Sequence, residues 1–114
     1  MRFQLAKTLD GIEKYGPVYD LGSGWPDKIE EYVADDVDDW FLNNMVDQIN
    51  ASCETLLDDG DYDYLDAEKC AKLVKLLDNI SNEFIPEEYE IPIATLKDYA
   101  IRAIHNNTGI SIEL

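Results

Sequence analysis

Histidine occurs once in this chain and cysteine twice, and no long apolar run occurs at all. The two cysteines, Cys53 and Cys70, have no CxxC spacing and no histidine cluster beside them, which argues against a zinc site. No window approaches the ~20 apolar residues of a membrane span, and the opening MRFQLAKTLDG lacks the apolar core of a signal peptide. The expectation is therefore a cytoplasmic protein whose thiols stay reduced. The Gly22-Ser23-Gly24 run has no GKS or GKT, so it is not read as a phosphate-binding loop.

Positive charge is also scarce. Nine Lys and Arg face 25 Asp and Glu, for a net charge of −16. DNA or RNA phosphate would be repelled, as would an anionic membrane surface. The imbalance is local. Residues 1–19 sum to +1, residues 20–66 carry fifteen acids against Lys28 alone, and residues 67–114 sum to −3. Solubility needs far less charge than this, and the self-repulsion costs stability. A solvated acidic face is the bland explanation, and attraction to a basic protein surface is the functional one.

The chain is otherwise ordinary. At 46% hydrophobic and 11% aromatic it is not a disordered acidic tail, and residues 1–114 read as one domain able to fold without metal or disulfide. The periodicity predicts a mainly α fold of about four helices, with room for a short two-stranded pairing of the N- and C-terminal segments. RFQLA (2–6) and the ending ISIEL alternate like strands. Residues 16–26, with three glycines and two prolines, read as an irregular loop packed through Val18, Tyr19, Leu21 and Trp25. A first helix is expected after Pro26, with Ile29, Tyr32 and Val33 on one side. A longer one is expected from about Val37 to Leu57, striped by Phe41, Met45, Ile49, Cys53 and Leu56. The third runs from Ala67 to Phe84. After a linker at 85–92, the last starts at Pro92 and stops between Asn106 and Gly109. Cys53 and Cys70 would then pack as buried thiols between two antiparallel helices, with a redox switch as the alternative.

Two acidic runs stand out as a candidate partner-binding surface. The first comprises Asp35, Asp36, Asp39 and Trp40 at the start of the long helix, with Asp47 further along. A helix dipole accounts for one or two acids there but hardly for the four at 35, 36, 38 and 39. At 100° per residue Trp40 falls off the apolar stripe, among Asp36, Asn43, Asp47, Glu54 and Asp58. It reads either as packed beneath the Trp25 loop or the preceding helix, or as an aromatic anchor among carboxylates. The second run is the loop Asp58, Asp59, Asp61, Tyr62, Asp63 and Tyr64. Asp59, Asp61 and Asp63 match the first ligands of a calcium loop. The match then fails, because Tyr64 stands where a turn glycine belongs and Cys70 where a bidentate glutamate belongs.

Catalytic patterns are missing. Carboxylate pairs abound, but acid–base work needs one acid set apart in a cleft, and nothing in the spacing marks one. His105, near the end of the last helix, reads as a dipole-stabilised cap. The expectation is a protein that is not an enzyme, with no cofactor and no metal.

The segment DDVDDWFLNNMV (35–46), followed by LLDDGDYDYLDAEKCAKLV (56–74), is similar to a family of small uncharacterised bacterial proteins. This intensely acidic chain with aromatics among its carboxylates resembles bacterial toxin-immunity proteins, of the contact-dependent inhibition or nuclease-bacteriocin type. The resemblance covers at most residues 35–77. It implies a noncatalytic inhibitor that covers, or sits near, the nucleic-acid site of a basic toxin. The alternatives are a nucleic-acid mimic that inhibits a host DNA- or RNA-binding protein, and a calcium-binding module using residues 58–66.

Overall fold

The alternation at the two chain ends does pair. In the computed structural model, which describes residues 1–23, 26–34, 38–81 and 83–114 (of Asp38, the backbone alone), β1 (Arg2–Ala6) lies antiparallel to β6 (Gly109–Glu113). Phe3 stands opposite Ile112 and Leu5 opposite Ile110, all four fully buried. Burying alternate residues on one face fixes the register, because a one-residue slip of either strand would turn its two core residues to the other side.

This pair is the centre of a larger sheet, and the expected mainly α fold is thereby corrected to α+β. β4 (Ile29–Val33) joins the outer side of β1, and β5 (Tyr62–Asp66) joins the outer side of β6. The antiparallel order is β4-β1-β6-β5. The helix expected after Pro26 is β4 instead. Its Tyr32 stacks on Phe3 with ring centroids 6.0 Å apart, and β-branched and aromatic residues suit a pleated, half-buried surface better than an isolated helical turn. Likewise the segment 58–66, read as a loop, becomes a strand from Tyr62 onward.

The single helix expected over 37–57 is two. α1 (Asp38–Asn44) and α2 (Val46–Cys53) meet at Met45. The Asn44 amide donates to the Trp40 carbonyl at 2.9 Å beside that joint. α2 ends where Glu54 turns left-handed (φ 57°). Asn50 then holds the departing chain. Its Oδ1 accepts from the Leu57 N–H (2.8 Å) and the Thr55 hydroxyl (2.7 Å), and its amide donates to the Leu57 carbonyl (3.0 Å). Leu56, assigned to the apolar stripe, is consequently 85% exposed.

α3 (Ala67–Asp78) is capped by Asp66, whose side chain accepts from the Lys69 N–H at 2.9 Å, and it ends six residues before the expected Phe84. α4 (Glu90–Asn106) begins two residues ahead of Pro92, which sits in its first turn. The helix stops at left-handed Asn107, whose N–H returns to the Ala103 and Ile104 carbonyls. Side chains of all four helices join Phe3, Leu5, Leu65, Ile110 and Ile112 in one core. On the opposite face, the hairpin β2 (Lys14–Tyr15) and β3 (Val18–Tyr19) and a 3₁₀ turn at Leu21–Ser23 accompany a smaller cluster of Ala6, Ile12, Leu21 and Tyr64.

Candidate acidic interface

The sheet register sets in one row the end of the strand that precedes the first acidic run and the start of the strand that follows the turn 58–61. Val33, Arg2, Glu113 and Tyr62 form a single cross-strand row over β4, β1, β6 and β5. At a strand spacing of ~4.8 Å this row is roughly 14 Å wide. β4 leaves the row through Val33 toward α1, and β5 enters it at Tyr62 from the turn 58–61. That turn is tied to the chain end, since the Gly60 N–H donates to the Leu114 carbonyl (3.1 Å) and the Leu114 N–H to the Asp61 carbonyl (2.9 Å).

Asp58, Asp59 and Asp61 are exposed on the turn, and Tyr62 beside them is 50% exposed. Asp39 and Asp47 are exposed in α1 and α2. Among the described residues no cation lies within ion-pair distance of these five carboxylates. The cations go elsewhere: Arg2 to Glu31 and Glu113, Lys72 to Glu54, Lys97 to Asp78, and Arg102 to Glu30 and Asp98. Asp35, Asp36 and Val37, like Trp25, lie outside the described residues.

Three residues of the expected surface have other duties. Tyr64 is buried at 4% exposure, because its position in β5 turns it onto the hairpin face, where its ring meets Tyr19 at 5.6 Å. Burial pushes its hydroxyl well above the usual tyrosine range. Asp63 is half-buried and bonds main chain: Oδ2 accepts from the Leu56 N–H (2.9 Å) and Oδ1 from the Tyr64 N–H (2.8 Å). A carboxylate so engaged is structural, and its use splits the Asp59–Asp61–Asp63 series. Trp40 is half-buried and packs on Tyr89 (4.6 Å) and Phe84 (5.6 Å) rather than standing clear among carboxylates. Among the described residues no group of three or more His, Cys, Asp or Glu is placed to hold a metal ion.

Sequence reasoning overlooked Arg2, Gln4, Ser111 and Glu113. They line a cleft of about 240 Å³ beside Tyr62 and Asp20 on the hairpin face. The outward half of the alternation in RFQLA and ISIE was the available signal. No described helix is long and apolar enough to cross a membrane. No family model, curated protein or solved structure matches the chain.

Proposed function

We propose that this chain is a cytoplasmic immunity protein that neutralises a basic toxin by covering its nucleic-acid-binding surface. The observation that carries the reading is the set of exposed carboxylates, Asp39, Asp47, Asp58, Asp59 and Asp61, that have no cation partner among the described residues, in a chain of net charge −16. Carboxylates can occupy the positions that a nucleic acid gives to phosphates, and lysine or arginine on the toxin would answer both. Half-exposed Tyr62, next to Asp61, supplies the kind of aromatic contact that concentrates binding energy within a charged surface. Uncompensated charge also accelerates encounter, since a steering field reaches about a Debye length, ~8 Å at physiological salt, beyond the surface.

The test is co-expression with the protein encoded beside this chain, which the reading expects to be a basic toxin. A stable one-to-one complex whose formation abolishes that protein's nuclease activity is expected. A neighbour that neither binds nor is inhibited contradicts the reading. Competition with nucleic acid for an unrelated host protein, without any cognate toxin, would replace it by nucleic-acid mimicry.

A further inference from the structure

The two edges of the sheet are finished differently. The Leu114 N–H bonds the Asp61 carbonyl directly opposite, so Asp61, Asp63 and Leu65 turn their main chain toward β6, and Tyr62, Tyr64 and Asp66 turn theirs outward. That outer edge is partly closed: the Asp63 carboxylate takes the outward Tyr64 N–H and ties it to the Leu56 backbone. At the other edge, the Ala34 N–H bonds the Met1 carbonyl and the Lys7 N–H the Lys28 carbonyl. By the same alternation Ile29, Glu31 and Val33 point their N–H and C=O groups away from β1. Among the described residues nothing hydrogen-bonds to those groups. Val33 is 54% exposed there.

A groove of about 530 Å³ runs beside this edge, between β4 and α4. Tyr32, Tyr99, Ala94 and Ile91 give it an apolar lining, and Ile91 is 71% exposed. Glu30, Glu90 and Asp98 line it too, and Arg102 bonds the first and last of these. We propose that β4 and this groove accept an extended segment of a basic partner protein as an added strand. The segment alternates apolar residues, which enter the groove, with lysine or arginine, which join Arg2 on the exposed Glu31 carboxylate. The main-chain groups supply the register and the groove supplies selectivity, as in other strand-addition interfaces. A second copy of this chain is a poor occupant. Antiparallel self-pairing would set the Glu30–Glu31 pairs of two chains of net charge −16 against each other. The proposal stands without the toxin reading and uses a different surface from the turn at 58–61.

The probe is a capped heptapeptide of alternating lysine and valine, titrated into the ¹⁵N-labelled chain. The amides of Ile29, Glu31 and Val33 should shift and become protected from exchange, and a glutamate-for-lysine version should not bind. Glu31→Pro removes an N–H that the sheet does not use, a change tolerated at a strand edge, and should weaken binding at least about tenfold. Ile91→Lys alters an exposed side chain without touching the core and should weaken it as well. No binding at millimolar peptide, or affinity unchanged in both variants, overturns the proposal. So does binding lost only when Asp58, Asp59 and Asp61 are neutralised, which would assign the contact to the acidic turn.

Discussion

Arg102 of α4 closes on Glu30 of β4 with two hydrogen bonds, Nη1 to Oε2 at 2.7 Å and Nη2 to Oε1 at 2.8 Å, joining the last helix to an edge strand 72 residues away. The hydrogen bond from Arg102 is the main cause that holds the Glu30 carboxyl below its usual range, against an opposing effect of burial. Both side chains are more than a third exposed (38% and 36%), so solvent screening keeps the pair near about 1 kcal/mol. Because the folded pKa is depressed, this stabilisation is present above the unfolded carboxyl range, about 4.3, and is lost as pH falls through the folded value. Arg102→Ala should therefore lower the urea unfolding free energy by about 1 kcal/mol at neutral pH and by almost nothing near pH 2. An equal loss at both pH values would show that the arginine acts through packing alone.

Asp63 and Asp61, two residues apart, should behave oppositely. Asp63→Ala leaves the Leu56 and Tyr64 N–H groups without their acceptor and should cost about 1–3 kcal/mol in urea unfolding. The Asp61 side chain is exposed and has no cation partner among the described residues, so Asp61→Asn should leave stability unchanged or raise it slightly by relieving repulsion. Equal losses for both would refute the structural assignment of Asp63.

Gly109 opens β6 where an added Cβ would collide with the Tyr64 hydroxyl and the Leu65 carbonyl. Gly109→Ala should destabilise the chain by about 1–3 kcal/mol through overpacking, and by nearly as much in a Tyr64→Phe background, because the ring carbon Cζ and the Leu65 carbonyl still stand in the way. Thermal unfolding of the double-mutant cycle reads the coupling directly.

Cys53 and Cys70 are both free and buried. Burial raises both thiols, that of Cys70 to about 12. Neither should react with a thiol reagent in the native chain at neutral pH, and both should react once urea unfolds it. Rapid native labelling would contradict this packing and reopen the redox alternative.

The parts of the fold legible in the sequence are those whose apolar spacing had one reading. Leu73 and Leu77 in α3 and Ile93, Leu96 and Ala100 in α4 recur at helical spacing and are buried, whereas Ile104 on the same α4 spacing and Phe84 beyond the end of α3 are exposed; the terminal alternation pairs as β1 and β6. β4 was hidden because Ile29, Tyr32 and Val33 satisfy a helical spacing over five residues as well as a strand does. β5 was hidden because Tyr62, Asp63 and Asp66 have the composition of a turn, and only β6 beside them gives the segment a face to bury. The regular stripe Phe41–Met45–Ile49–Cys53 concealed the joint at Met45, and it ran on to Leu56 because Asn50's capture of the chain depends on tertiary geometry. The exposed acids of the candidate interface were legible from charge alone. The duties of Asp63 and Tyr64 were not, since strand register decides which side each one faces.

The most direct test of the acidic interface is the association rate with the basic partner that the co-expression experiment identifies, measured by stopped flow across salt concentrations. The chain is compared with the variant carrying Asp58→Asn, Asp59→Asn and Asp61→Asn. A steered encounter predicts a rate that falls steeply with salt for the native chain, and a rate at low salt at least about tenfold lower for the variant, with a flatter salt dependence. Identical rates and salt slopes for the two proteins would contradict the account.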